Sequence, residues 1–540
     1  MINPKNYFKN HGIQALFLLV FIVSIYGSTA FSNAFYVDAE AVINHPGGVY
    51  NWNEIGRFGL IGLKYLIGGN WYNPYFEGVM FLLTYWILAC VSVYLVTVLL
   101  RKDNVLLSTL FAGLALFFPT YSDQFMFRFQ AFEIAFAMVL VMIAGLLFIR
   151  LLDTRKKGYA VAIVLLEVLS FGIYQSMVNL MIVIFAIVYL FSISYYEKKD
   201  RVYLIVSSII LFVIGFVIYE VIAKLFFSSG TYLSDSIGWT SGDLKATIMN
   251  LLAYYKHCLL SQDVFYPYTF TVSVLAAVGM LIFILATGRA RKGSYALGII
   301  AMLISPFLLS VLTGSPTAYR AQCMLPFACA AIIVFVLNEL GAGEDGKALG
   351  NTNAKANVEA NKANLNANKV NVKVGTKIIK CAAVCVSVVL IVVQCSVVLR
   401  LFYTQDTIRK NDEITAIEIM NRLNGCDTDG KPVVFAGHLE PKGNGSCYTK
   451  DQAQSFLAYS LYGFAYVDGV PVEDAEYCNT HRILGYFESL GFVYTYPTQE
   501  VVNKALAENE VVDGEAKNLY WPSDGSIVET DEYVFVRLSE

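Results

Sequence analysis

The residues of this chain best suited to chemistry lie in short segments between long apolar runs. The first such segment carries Asp38, Glu40, His45 and Arg57. Asp38 follows an apolar run by a few residues, where a lipid headgroup would be met. A carboxylate there is poorly hydrated, which raises its proton affinity and suits it to take a proton from an attacking hydroxyl. The alternative for this Asp-x-Glu pair is an ordinary solvated loop. Arg57 opens an amphipathic stretch, to Ile67, that fits the plane of a membrane interface. Its guanidinium can hold a phosphate through two parallel bonds and stays charged. Arg128, at the end of Asp123-Gln124-Phe125-Met126-Phe127-Arg128, and Arg320, at the end of Pro316-Thr317-Ala318-Tyr319-Arg320, sit in comparable segments. Together the three arginines describe an anion site; the alternative is that each simply extends its head toward water. Tyr174-Gln175 breaks an apolar run with groups able to bond a sugar, or simply forms a tight turn. His45 is a weaker candidate. No zinc spacing, Gly-rich phosphate loop, Gly-x-Ser-x-Gly or His-Glu-x-x-His occurs.

The elements that must position these residues are apolar. Of 540 residues, 56% are hydrophobic and 15% charged, with a mean hydropathy of +0.55. Soluble domains run nearer ~45–50% and ~25%, which excludes a water-soluble enzyme, a disordered chain and a disulfide-rich secreted module. Hydropathy places about eleven spans, at 14–31, 75–100, 104–119, 131–152, 159–175, 177–196, 202–226, 267–287, 294–313, 319–339 and 378–400. The fold class expected is mostly α: a polytopic helical membrane protein with a small extracytoplasmic α/β region at its C-terminus. The first run reads as an uncleaved anchor rather than a signal peptide. Within the spans, Glu220 and Lys224 are four residues apart and pair on one helical face. Glu167 reads as protonated or bonded between helices. Glu77 and Glu133 are either solvated or line an outward cavity.

Net charge of −3 conceals a division. From Thr404 onward there are 23 acidic and 10 basic residues; before it there are 19 and 29. Placing the N-terminus inside puts about 21 Lys/Arg in cytoplasmic segments and about eight outside, the positive-inside bias. An odd number of spans then leaves the acidic C-terminus outside. Two domains follow, 1–403 in the membrane and 404–540 outside it. The low-complexity Asn/Lys/Ala tract at 341–377 reads as a disordered cytoplasmic loop. Past Thr404, helices are expected at 407–423 and 482–490, and strands at 432–435 and 532–538. Cys426, Cys447 and Cys478 lie outside, allowing one disulfide with one thiol left over. No basic, aromatic-interleaved stripe indicates nucleic acid.

Acids just after the first run, followed by Gly56-Arg57-Phe58-Gly59, resemble the GtrII-type glucosyltransferases of bacterial envelopes. Ser170-Phe171-Gly172-Ile173-Tyr174-Gln175, and the Tyr319-Arg320 turn followed by Pro326, are similar too. The resemblance covers about residues 10–400. It implies a GT-C-like fold in the bacterial cytoplasmic (inner) membrane. It also implies transfer of a hexosyl, in this family glucosyl, residue from a polyprenyl-phosphate sugar to an envelope glycan: O-antigen, teichoic acid or cell-wall polysaccharide. Asp38 then matches the base, with Glu40 beside it, and Arg57, Arg128 and Arg320 would face the donor phosphate. Asp123, Tyr174, Gln175 and Tyr319 would face sugar or acceptor. No cofactor is required, although a divalent metal is compatible with the reaction. The partners implied are the lipid-linked donor, the envelope polysaccharide and membrane lipids, with a donor-synthesising glycosyltransferase and a flippase acting upstream. The chain departs from the family in having Asp-Ala-Glu rather than adjacent acids. Rival classes are a lipid-linked glycan transporter or flippase, which should show repeats and broken midplane helices, and a glycan polymerase or ligase, which should carry a larger late outer loop.

Overall fold

The computed structural model describes residues 3–32, 39–227, 238–241, 243–286, 291–342, 362–441, 447–448, 460–463, 466–467, 470–471, 474–509 and 519–539. A short α1 (Pro4–Asn10) leads into α2 (Gly12–Ala30), followed by α3 (Ala39–Asn44), α4 (Phe58–Ile67), α5 (Pro74–Leu100) and α6 (Val105–Leu116). Next come α7 (Thr120–Phe125), α8 (Arg128–Thr154), α9 (Lys157–Ile173), α10 (Met177–Ser192), α11 (Lys198–Phe226) and α12 (Leu244–Leu259). The helical series closes with α13 (Thr269–Ala286), α14 (Lys292–Ile304), α15 (Leu308–Thr313), α16 (Met324–Ala342) and α17 (Lys362–Leu423).

Every apolar run read from the sequence falls on a helix. Seven are long and apolar enough to cross a membrane: α2, α5, α8, α11, α13, the stretch Lys292–Thr313 that joins α14 to α15, and α17 from Lys377 onward. The other four runs fall on α6, α9, α10 and α16, of 12, 17, 16 and 19 residues. At 1.5 Å per residue, α6 extends only about 18 Å, short of the ~30 Å hydrocarbon layer. It ends at Leu116, where the chain turns through Pro119 into α7. The carbonyl of Leu116 accepts two phenol hydroxyls, from Tyr26 at 2.8 Å and Tyr85 at 2.5 Å. A helix end inside an apolar bundle has no water to bond its last carbonyls, so side chains must supply the donors.

The bundle has two chemically distinct ends. At the basic end, exposed ion pairs join successive turns: His11 to Asp103 (2.9 Å), Arg101 to Asp153 (3.3 Å) and Arg155 to Asp200 (2.6 Å). At the other, the site end, the turns around Arg57, Asp123, Tyr174 and Tyr319 converge. Glu220 and Lys224 pair at 3.3 Å on the exposed face of α11. Glu167 is buried against α11 at Gly215, and its two carboxyl oxygens make no hydrogen bond among the described residues.

Beyond the membrane body, α17 continues unbroken into an α/β layer. A three-stranded sheet in the order β1 (Val433–Ala436), β5 (Val534–Arg537), β4 (Ile527–Glu529) has β1 and β5 parallel. A separate two-stranded ribbon pairs β2 (Tyr466–Val467) with β3 (Val470–Pro471). One face of the sheet packs on α18 (Ala475–Ser489) and the last turns of α17; the other packs on α19 (Gln499–Glu508). Burial on both faces explains why β1 and β5 are continuous apolar or buried runs rather than alternating ones. The expected helix at 407–423 is the end of α17, not a separate element. The second half of the Asn/Lys/Ala tract is likewise part of α17, since residues adjoining an existing helix at its N-terminal end add to it without a new nucleus. Cys426, Cys447 and Cys478 are unpaired thiols.

Candidate active site

The site end is organised by glycines. In Gly56-Arg57-Phe58-Gly59, Gly56 adopts a left-handed backbone (φ +77°), and a Cβ there would lie 2.9 Å from the Tyr219 hydroxyl. Gly59 lets α4 approach the end of α9 so closely that a Cβ would stand 2.8 Å from the Gly172 carbonyl carbon. Gly172 in turn makes room for the Phe58 ring, which stacks on Tyr219 at 6.0 Å and on Phe227 at 5.5 Å. Two motifs separated by more than a hundred residues are thus complementary surfaces of one contact.

That contact fixes Arg57. Its Nη1 donates to Gln130 Oε1 of α8 at 2.7 Å, and its Nε to Gln175 Oε1 at 3.4 Å. The guanidinium lies over the Tyr174 ring, 5.0 Å from the centroid. Gln175 uses its amide nitrogen to hold the Ile55 carbonyl. Tyr174 is buried and extended (φ −154°, ψ 120°), which is what breaks α9 from α10. Arg57 and Arg320 are both half-buried.

Arg320 stands on a turn pinned from two sides. Its backbone N–H donates to Asp123 Oδ2 at 3.0 Å, and its side chain lies over Phe127. Asp123 is 1% exposed, so this carboxylate shapes the turn from within. On the other side, the Tyr319 hydroxyl donates to Asp263 Oδ2 at 2.6 Å, and its ring stacks on Phe265 at 4.1 Å. Asp263 also contacts His257 Nε2 at 2.5 Å and accepts from the Phe265 N–H at 2.7 Å. Gln322 completes the turn by accepting from Tyr266. Asp263 and His257 went unnoticed in the sequence because nothing local marks them; their partner Tyr319 is more than fifty residues away.

Arg128 parts company with Arg57 and Arg320. It is 3% exposed and donates to the carbonyls of Ala30, Ser32 and Pro74. The first two belong to the C-terminal end of α2, where carbonyls lack helical partners and a cation suits the dipole. Arg128 therefore braces the C-terminal end of α2, the helix that leads toward Asp38. Asp38 itself lies outside the described residues. Glu40 is in α3, with its side chain outside what is described.

A second buried cation was not singled out at all. Lys64, in α4, is fully buried and donates to Glu133 Oε1 at 2.7 Å and Glu77 Oε1 at 3.4 Å, with Phe129 3.6 Å beneath its ammonium. Glu77 and Glu133 are thus neither solvated nor lining an outward cavity: they tie α5 and α8 to the interfacial helix. A buried charge without such partners would be prohibitively unfavourable. Arg57–Gln130 and Lys64–Glu133 join α4 to α8 at successive turns.

A family model described as Glucosyl transferase GtrII matches residues 27–337. The chain belongs to the GtrII glucosyltransferase family. The matched region contains every element of the site, from the Asp38 segment to the Tyr319–Arg320 turn. A GtrII chain of this kind is a membrane glycosyltransferase. No curated protein matches the chain, and no solved structure matches it. Among the described residues there is no group of three or more His, Cys, Asp or Glu side chains placed to hold a metal.

Proposed function

We propose that this GtrII chain transfers a glucosyl residue from a polyprenyl-phosphate sugar to an envelope glycan at the outer face of the bacterial cytoplasmic membrane. The observation that carries this reading is the docking of the Gly56–Gly59 segment on the Gly172–Gln175 turn. It sets Arg57 over the Tyr174 ring, at the end of the bundle that also holds the Tyr319–Arg320 turn and the C-terminal end of α2. The positive-inside bias supports the outward assignment of that end. In the membrane body, an apolar groove of about 380 Å³ between α10, α11 and α14 offers room for part of a carrier's hydrocarbon chain.

The reaction is a direct displacement at the anomeric carbon. Asp38, or its neighbour Glu40, takes the proton of the acceptor hydroxyl as its oxygen bonds to that carbon. The bond from carbon to phosphate oxygen breaks, and polyprenyl phosphate leaves with the electron pair. Arg57 and Arg320 oppose the charge developing on the leaving phosphate, the largest stabilisation in transfers of this kind. Phosphate is a competent leaving group, so no acid catalyst is required.

The test is transfer from polyprenyl-phosphate glucose in proteoliposomes containing wild type, Asp38→Asn, Glu40→Gln or Arg57→Gln. One acid variant should be inactive and the arginine variant strongly impaired. Undiminished transfer in both acid variants would overturn the assignment of the base to this segment.

A further inference from the structure

The C-terminal α/β layer carries a row of aromatic rings for which the transfer chemistry gives no use. Tyr477 and His481, one turn apart on α18, have ring centroids 4.1 Å apart, and Tyr496 adds a third ring 5.3 Å from His481. The Tyr496 hydroxyl donates to Glu488 Oε2 at 2.7 Å. Tyr496 is 37% exposed, and the neighbouring Phe492 and Val493 are more so. His481 Nδ1 donates to the Tyr477 carbonyl at 3.0 Å, which makes Nε2 the acceptor of the neutral ring. Burial, and then the Glu488 carboxylate, push the Tyr496 phenol above its usual range, so it keeps its proton.

These groups have a direction. Positions 477, 481, 485 and 488 share one stripe of α18, spaced by four, four and three residues. In the same stripe, the Gly485 carbonyl accepts from Asn44 Nδ2 of α3 at 2.7 Å. The row of rings therefore runs beside the helix that carries Glu40 and follows Asp38.

We propose that Tyr477, His481, Tyr496 and Glu488 form the platform that binds the glycan acceptor, and that this acceptor is an uncharged polysaccharide. This rests on the transferase reading above and deepens it. Aromatic faces receive the C–H faces of sugar rings, while a carboxylate, a phenol and an imidazole nitrogen at their edges bond the hydroxyls. Charge selects the class. With 23 acidic against 10 basic residues from Thr404 onward, this region repels polyphosphate glycans and anionic headgroups. A neutral chain meets no such penalty.

The experiment uses the full-length protein in nanodiscs, polyprenyl-phosphate glucose as donor, and the neutral polysaccharide fraction from envelopes of the producing cells as acceptor. Tyr496→Ala and the nearly isosteric Glu488→Gln should each raise the acceptor KM about tenfold while leaving the donor KM within twofold. Teichoic-type anionic polymer should not compete. Wild type that transfers glucose, with both variants keeping its acceptor KM, overturns the platform and leaves the transferase reading standing. Effective competition by the anionic polymer overturns the assignment to neutral glycans. Wild type that never releases polyprenyl phosphate from the donor overturns the transferase reading itself. A changed oligomeric state in the variants with unchanged acceptor KM would assign the rings to contact between copies, again overturning the platform.

Discussion

The ion-paired arginines of the basic-end turns and the cations beneath the site do different work. At the basic end Arg101 and Arg155 are 46% and 40% exposed, paired with carboxylates that are themselves partly in water. At the site end Lys64 is fully buried between two glutamates, Arg128 is buried on backbone carbonyls, and Arg57 is held by amides and a phenol. Solvated cations orient a chain through their number and are individually replaceable. Buried ones are few, and each depends on a complete set of partners.

Breaking that contrast should give effects of descending size. Lys64→Met strands two buried glutamates, and loss of one partner from a buried pair costs about 3–5 kcal/mol. Thermal unfolding in detergent should therefore occur far below wild type. Adding Glu133→Gln should recover part of the loss, and no recovery would mean that charge is not the cause. Arg57→Gln should unfold near the wild-type temperature yet lower transfer by about 10²–10³-fold, the usual effect of removing a donor from a developing anion. A comparable loss of stability would instead place Arg57 with Lys64 as a structural cation. Gly59→Ala sets a methyl against the backbone of α9 and should cost about 1–3 kcal/mol, with transfer falling as Arg57 shifts. Arg155→Ala, at the basic end, should change stability by about 1 kcal/mol or less. A larger change there would erase the distinction between the ends.

Much of this arrangement was readable from the residues alone. The apolar runs located the helices because bilayer thickness sets their length, and the pairing of Glu220 with Lys224 followed from helical spacing. Arg57, Tyr174 and Gln175 were noticed because polar residues interrupting apolar sequence stand out. Lys64 did not stand out: on an amphipathic interfacial helix a lysine reads as the wet face. Only the distant Glu77 and Glu133 reveal it as buried. Asp263 and His257 were invisible for the same reason, since an acid in an ordinary loop acquires meaning from a tyrosine far along the chain. The carbonyls that Arg128 holds were not legible either, because sequence shows the cation and not the helix end beneath it.

One consequence follows from α17, which runs as a single rod from the membrane into the α/β layer. Its last turns, at Ala416, Ile419, Met420 and Leu423, are part of the layer's own core. The rod therefore sets the rotational phase of that layer as well as its height. Inserting one residue in α17 ahead of these turns would turn the layer by roughly 100° and lift it about 1.5 Å, carrying α18 away from α3. Inserting seven would nearly restore the angle, at about 10 Å greater height. The C-terminal layer is thus geared to the membrane body, and the gear tooth is one residue of helix.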